Sequence, residues 1–126
     1  MEHRVIHTNN APKAVGTYSQ GVECQGVFYF SGQIGMCPET MELAEGVEAQ
    51  LTRILSNIDA LLDSENLRRE NILKTTIFLT NLGDFSKVNQ AYEGYFQAPY
   101  PARSCVEVSA LPKGAEVEIE VIARKS

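Results

Sequence analysis

The sequence predicts an α+β fold, in which a mixed β-sheet carries two helices on one of its faces. Three observations predict it. The length of 126 residues suits one compact domain, here residues 1–126. Apolar residues change from the alternation typical of strands to the spacing typical of helices and back again. A β-branched strand pattern also follows each helical stretch. Because two helices cover one sheet face, we expect the other face to be solvated or used for assembly.

Composition narrows the class of protein. Apolar residues make up 44% and charged residues 21% of the chain, which excludes a disordered or collagen-like protein. No apolar run approaches the roughly 18 residues that a membrane span needs, and no apolar signal segment follows Met1. A net charge of −5 disfavours nucleic acid as a partner. Three cysteines without a Cys-x-x-Cys pair predict reduced thiols, no metal site and a cytoplasmic location.

The N-terminal strands are predicted to form a hairpin. Residues 22–25 and the β-rich residues 27–31 meet at Gly26. The segment that contains His3 and His7 is expected to be an edge strand, with both histidines at the surface. Glycines at positions 32 and 35 predict a turn after the second strand, and Pro38 predicts a loop over residues 36–40.

Two helices are predicted to alternate with one strand. Residues 72–80 are β-branched and aromatic, so they predict a largely buried strand. Asp84 is a suitable N-cap for the second helix, and Pro99 and Pro101 prevent that helix from continuing. The first helix has one apolar stripe, formed by Val47, Leu51, Ile54, Leu55, Ile58, Leu61 and Leu62. The second has another, formed by Phe85, Val88, Tyr92, Tyr95 and Phe96.

The C-terminal third predicts two strands, residues 103–109 and 117–123, with the spacing of a hairpin. Alternation places Arg103, Cys105 and Glu107 on one face of the first strand. It places Glu116, Glu118 and Glu120 on one face of the second. Each strand therefore has one face whose side chains suit chemistry.

Arg103 and the glutamates are the strongest candidates for a site. Arg103 follows two prolines on a stiff segment, which suits bidentate capture of a carboxylate, although a solvated surface arginine is the alternative. One glutamate would lose water, gain a raised pKa and act as a general base beside Arg103. The alternative is a solvated sheet face. Cys105 has no histidine base near it, so a small pocket-lining thiol is favoured over a nucleophile.

Three further residues are weaker candidates. Tyr18 lies between glycines and either presents its hydroxyl to a ligand or anchors a loop. Gly32 offers an unhindered backbone N–H to an anion, or simply ends a strand. Asn89 lies at the margin of the apolar face of the second helix and is expected to face solvent.

Several short motifs follow one another along nearly the whole chain. They are NAP at residues 10–12, GTYSQG at 16–21, SGQI at 31–34, VN at 88–89 with Tyr92, PARSCVEV at 101–108, LPKG at 111–114 and VEIE at 117–120. Together this ordered set resembles the Rid/YjgF family of reactive-intermediate imine deaminases, also called L-PSP endoribonuclease-like proteins. Residues 101–108 are the most specific of these segments.

The resemblance implies a chorismate-mutase-like α+β fold that forms homotrimers, with pockets at the clefts between subunits. Members of the family hydrolyse 2-iminopropanoate and 2-iminobutanoate, which pyridoxal-phosphate enzymes release, to 2-keto acids and ammonia. They carry no metal or organic cofactor of their own. The same resemblance leaves two other functions open: a module that binds small carboxylates or a regulator without turnover, and an RNA-cleaving translation inhibitor. The net charge disfavours RNA cleavage.

Residue roles follow from the resemblance as well. It implies that Arg103 grips the substrate carboxylate and that Glu118 holds and activates the attacking water. Cys105 would line the same pocket and take part in catalysis through its backbone as much as its thiol. Tyr18 would close over the substrate and assist proton transfer. The remaining pocket positions would be Ser31, Gly32 and Asn89. Thr17 replaces a usual proline, and residues 35–41 differ from a loop that usually ends in Thr-Gly, so both departures point to an altered pocket closure or substrate range.

Overall fold

The computed structural model describes residues 2–126, so Met1, the first residue of the predicted domain, lies outside the described residues. The described chain has the predicted α+β architecture, with both helices packed against one six-stranded sheet. Neither helix within residues 2–126 has the length and apolar character that a bilayer crossing requires. The elements are β1 Arg4–Ile6, β2 Gly21–Cys24, β3 Val27–Gln33, α1 Val47–Ser64, β4 Ile72–Leu79, α2 Phe85–Tyr95, β5 Ala102–Glu107 and β6 Val117–Arg124.

The strand order is β1-β2-β3-β6-β4-β5. The predicted hairpin of β2 and β3 is confirmed: its turn contains Gln25 at φ 52° and Gly26 at φ 82°, the left-handed pair that suits the twist of a tight hairpin. Strand β1 lies at one edge, and both flanking histidines, His3 and His7, are exposed as predicted. Helix α2 crosses over between β4 and β5, which are therefore parallel neighbours.

The predicted hairpin between the last two strands is wrong, because β4 lies between β5 and β6. The crossover through α2 places β5 on the outer side of β4, which leaves the inner edge of β4 open for β6. The connection passes over the end of β4, where the N–H of Val108 donates to Leu79 O at 2.8 Å. The N–H of Thr80 likewise donates to Glu116 O at 3.2 Å. The nine residues that join β5 to β6 are short enough for a hairpin, but the two strands do not pair with each other.

The hydrophobic core lies between the sheet and the two helices. Phe28, Ile54, Ile77, Val88 and Val117 are fully buried in it, and each such side chain contributes roughly 1.5–3 kcal/mol relative to exposure. The strands alternate, so one face of β6 packs under the helices and its other face stays open.

A side-chain cluster ties α1, α2 and the turn between α1 and β4 together. The guanidinium of Arg69 donates to both carboxylate oxygens of Asp59, at 3.1 and 2.8 Å, and to the backbone oxygen of Tyr95 at 3.2 Å. The hydroxyl of Tyr95 donates to the same carboxylate at 2.6 Å. Asp84 precedes α2 as predicted, but within the described residues its carboxylate makes no cap hydrogen bond; it lies 3.7 Å from Lys87 Nζ.

Candidate functional site

A cavity of about 670 Å³ lies on the open face of the sheet. Glu118 of β6 projects into it and is half-buried. The cavity also brings together three of the other predicted residues, Tyr18, Ser31 and Gly32. These residues are far apart in sequence, and they meet because β3 and β6 are hydrogen-bonded neighbours.

A β-bulge in β3 shapes the floor of this cavity. Phe30 pairs with Val121, and Gln33 pairs with Ile119, so Ser31 and Gly32 together oppose one residue of β6. The extra residue turns both of them toward the cavity. A Cβ on Gly32 would overlap the carboxylate of Glu118, so only glycine leaves that carboxylate in its observed place.

The environment of Glu118 favours its protonated form. Burial raises the pKa of this carboxyl above its ordinary value, and the neighbouring charge of Glu120 raises that pKa further. A carboxyl whose pKa moves toward neutrality can accept a proton and return it during one reaction. Glu118 therefore combines a raised pKa with access to the cavity, two features that a general base and acid needs.

The Tyr18 loop is held by Gln20, a residue that no sequence pattern marks as functional. Gln20 is 3% exposed, and its side-chain amide donates to the backbone oxygens of Thr8, Ala11 and Pro12. Its Oε1 accepts from the N–H of Thr8 at 2.8 Å. A glutamine in a loop gives no periodic signal, so the pattern could not reveal this role.

Tyr18 and Ser31 differ in how firmly they are held. Tyr18 is 54% exposed, and its hydroxyl accepts from the N–H of Val15 at 3.3 Å. The phenol ring therefore stays accessible beside the cavity and is not buried as a loop anchor. The Ser31 hydroxyl donates to Ser19 O at 2.6 Å, and the Ser31 N–H donates to Gln20 O at 2.9 Å. Ser31 thus fixes the end of the Tyr18 loop.

Arg103 lies on the edge strand β5 with its guanidinium directed toward α2. Its Nη1 donates to Asn89 Oδ1 at 3.0 Å. Its Cζ lies 4.9 Å from the ring centroid of Phe85 and 5.7 Å from that of Tyr92. Among residues 2–126, cation–π contacts and one hydrogen bond hold this exposed guanidinium, and its other donors have no protein partner. Asn89 is exposed, as predicted, and it lines a second cavity of about 310 Å³ with Arg103 and Tyr92.

Cys105 lies two residues further along the same face of β5, where its side chain packs against the hydrophobic core. Burial raises the pKa of its thiol, and the positive charge of Arg103 counteracts that rise only in part. The thiol is therefore protonated near neutral pH, which agrees with a packing group and not with an activated nucleophile.

The expectation that a glutamate lies beside Arg103 is wrong within one chain. Arg103 pairs with Thr75 of β4, which is buried under the helices. Glu118 pairs with Phe78 three residues further along β4, and therefore lies on the opposite face. The sheet itself separates the two side chains. Sequence alternation could not reveal this, because it does not relate the faces of two strands that are not neighbours.

The described residues form no cluster that would hold a metal ion, and the larger cavity has a mixed charged and apolar lining. Within residues 2–126, no group of three or more histidine, cysteine or acidic residues is placed to hold a metal ion. The charged side chains that line the larger cavity are Lys13, Lys113, Glu118 and Glu120. This mixture suits a small polar ligand with an apolar part, since the rest of the wall includes proline, valine, isoleucine and methionine side chains.

Comparison with known proteins places this chain among close relatives. The sequence pattern of the family described as endoribonuclease L-PSP matches residues 8–125. A RutC family protein of Aquifex aeolicus is 48% identical over 124 residues, which cover 97% of this chain and 99% of that protein. A 2-iminobutanoate/2-iminopropanoate deaminase of Salmonella typhimurium is 46% identical over 123 residues, which cover 95% of this chain and 96% of that protein.

A solved structure is also similar to this chain in both sequence and fold. Escherichia coli TdcF with bound serine is 42% identical and superimposes with a TM-score of 0.92. The match covers 98% of this chain and 99% of that chain. The likeness therefore extends over the sheet, both helices and the loops that border the two cavities.

Proposed function

Because the chain belongs to the Rid/YjgF family, also described as the endoribonuclease L-PSP family, we propose that it hydrolyses 2-iminopropanoate and 2-iminobutanoate to 2-keto acids and ammonia in the cytoplasm. The observation that carries this proposal is Glu118: a half-buried carboxyl with a raised pKa, aimed into a cavity of about 670 Å³. Such a group suits activation of water at neutral pH.

Arg103 binds the carboxylate of the imino acid. Its planar fork forms two parallel hydrogen bonds with a carboxylate, which a lysine cannot do. Asn89 Oδ1 accepts a hydrogen bond from Nη1 of Arg103 at 3.0 Å, and the rings of Phe85 and Tyr92 restrict the guanidinium further. The substrate is therefore oriented by a group that loses little freedom on binding.

Glu118 carries the protons of the reaction. It takes a proton from water as the water oxygen bonds to the imine carbon, and it passes that proton to the imine nitrogen, which gives a carbinolamine. When the carbinolamine collapses, Glu118 takes the hydroxyl proton as the C=O bond forms and gives it to the nitrogen as the C–N bond breaks, so that ammonia leaves. Tyr18, whose phenol borders the same cavity, closes over the substrate and assists proton transfer.

The site is completed by a second copy of the chain. Arg103 and Glu118 lie on opposite faces of one sheet, so one substrate cannot contact both within one chain. The open sheet face carries exposed apolar side chains, among them Tyr29 and Val106, which an assembly would cover. We take the assembly to be a homotrimer in which Arg103 of one subunit faces Glu118 of the next.

The deaminase activity is tested by measuring keto-acid release. A threonine or serine dehydratase generates the imine, semicarbazide competes for it, and wild type is compared with Arg103→Ala and Glu118→Gln. Faster release of free keto acid by wild type alone supports the proposal. Tight binding of a 2-keto acid without any acceleration would replace it with a carboxylate-binding module. Salt-dependent RNA cleavage would replace it with a ribonuclease.

Mixing two inactive variants tests the shared site. Arg103→Ala supplies an intact Glu118, and Glu118→Gln supplies an intact Arg103. If each site takes its arginine and its glutamate from different subunits, equal mixtures refolded together recover about a quarter of wild-type activity. The arginine is intact in half of the sites, and the glutamate is independently intact in half of them. No recovery in a mixed oligomer would show that each site lies within one chain.

A further inference from the structure

Four non-glycine residues within residues 2–126 have a left-handed φ: Gln25, Met41, Asn66 and Lys113. Gln25 lies in the β2–β3 hairpin turn, and Asn66 lies just after the end of α1, where this conformation is usual. Met41 at φ 61° and Lys113 at φ 59° instead line the cavity that contains Glu118. Backbone strain of this kind concentrates at functional sites.

The backbone around Met41 is held by several hydrogen bonds. The N–H of Met41 donates to Cys37 O at 2.7 Å, and the N–H of Cys37 donates to Glu42 O at 3.0 Å. The buried amide of Asn57 on α1 donates to Met36 O at 2.9 Å. These backbone contacts do not involve the side chain of Met41, so they support the left-handed conformation at position 41 independently of that side chain. Glycine would adopt it without the cost of about 1–2 kcal/mol that a side chain adds.

The side chain of Met41 makes one wall of the Glu118 cavity, together with Met36. Both methionines are partly buried, and Ile34 and Val15 continue the apolar lining. Methionine is long, flexible and polarisable, so it adapts to apolar groups of different shape. Within one chain, a three-carbon imino acid would occupy only a small part of a cavity of about 670 Å³. The single chain therefore leaves room for a larger substituent against these two side chains.

We propose that Met41, with Met36, forms a subsite for the substituent of the imino acid and directs this protein toward imines with larger apolar side chains. The inference rests on the proposed deaminase function and concerns its specificity. Met41 is a specificity-determining residue: it contacts the substituent, while Glu118 and Arg103 act on the reacting carbon and the carboxylate. The strained backbone at position 41 is retained because glycine would remove this wall.

The test compares imines that differ only in their substituent. An amino-acid oxidase produces the imines of alanine and leucine, with catalase present to remove peroxide, and semicarbazide reports the imine that remains. Wild type is expected to have a higher kcat/KM for the leucine-derived imine. Met41→Gly is expected to lower the ratio of the two kcat/KM values about tenfold, the scale of a lost apolar contact of a few carbons.

Two further variants separate the side chain from the backbone. Met41→Ala keeps the strained backbone but removes the wall, so its ratio should fall as it does in Met41→Gly. Gln25→Gly relieves the same kind of strain in a distant hairpin, so its ratio should equal that of wild type. Thermal unfolding should show both glycine variants at least as stable as wild type.

The outcomes distinguish this inference from the proposed function. If wild type accelerates imine hydrolysis but Met41→Gly and Met41→Ala keep the wild-type ratio, the subsite is wrong and the deaminase stands. If Met41→Gly changes the ratio and Met41→Ala does not, loop flexibility and not the methionine wall sets specificity, and the inference is again wrong. A wild type that accelerates neither imine overturns both.

Discussion

Gly32 of β3 lies so close to the carboxylate of Glu118 on β6 that a Cβ at position 32 would overlap Oε2. The bulge at Ser31 and Gly32 creates this contact, because it turns the glycine toward the side chain of the neighbouring strand. The position of the proposed general base is thus set by the absence of a side chain on the adjacent strand.

Replacement Gly32→Ala is expected to impair catalysis more than folding. The added methyl group displaces the flexible end of Glu118, and the backbone around it can stay in place. We expect kcat/KM for 2-iminobutanoate to fall at least about tenfold, the scale of a misplaced acid–base group. The melting temperature should change by no more than a few degrees. Unchanged activity would show that the observed position of Glu118 does not matter.

Glu118→Gln is expected to stabilise the protein at neutral pH. Since burial and Glu120 raise the pKa of Glu118 in the folded state, folding favours the protonated carboxyl. The stability from that extra proton affinity is complete below the ordinary glutamate pKa and is lost as pH rises through the raised value. The variant should therefore melt a few degrees above wild type at pH 7 and close to it near pH 4. A variant less stable than wild type at pH 7 would contradict the raised pKa.

Arg103→Lys should fail as a conservative replacement. Lysine keeps the charge but loses the paired donors and the hydrogen bond to Asn89. We expect kcat/KM to fall about 100-fold, the loss of roughly two to three kcal/mol that a charge-assisted bidentate contact supplies. Circular dichroism should be unchanged, since the side chain is exposed. A lysine variant with half of wild-type activity would exclude bidentate carboxylate binding.

Cys37 is expected to react with iodoacetamide before Cys105. Backbone hydrogen bonds from Thr40 and Glu39 lower the pKa of the Cys37 thiol, whereas burial raises that of Cys105. The thiolate is the reactive form, so Cys37 should be alkylated at least about ten times faster at pH 7.5. Peptide mass spectrometry after timed quenching measures both rates. Equal rates would show that Cys105 is more accessible than its packing against the core implies.

Tyr95→Phe tests the cluster between the helices and serves as a control away from both cavities that contain the predicted residues. Tyr95 is 7% exposed, and its hydroxyl donates to Asp59 at 2.6 Å. Loss of this bond to a charged acceptor should lower the free energy of unfolding by about 1–3 kcal/mol. Urea denaturation measures the change, and keto-acid release should stay at the wild-type rate. A variant of wild-type stability would mean that Arg69 alone holds Asp59.

The sequence patterns were sufficient for elements whose signal is local. The apolar stripe of α1, the β-branched run of β4 and the Gln25-Gly26 turn each follow from neighbouring residues. The pairing of β6 with β4 does not follow from neighbouring residues, because the connection after β5 allows β6 to pair with either β5 or β4. The family resemblance identified the candidate site residues. The face of the sheet on which each of them lies depends on the strand order, which the resemblance of short motifs does not specify. The left-handed Met41 has no signal in periodicity at all.

Because the sheet separates Arg103 from Glu118, the activity per chain depends on the protein concentration under the proposed function. A newly made monomer would carry Arg103 and Glu118 in two incomplete sites, so it would be inactive until it assembled with further copies of the chain. On dilution below the dissociation constant of the assembly, activity per chain would fall by mass action. Turnover would then rise more steeply than in proportion to the amount of protein, and a modest change in expression would have a larger effect on imine removal.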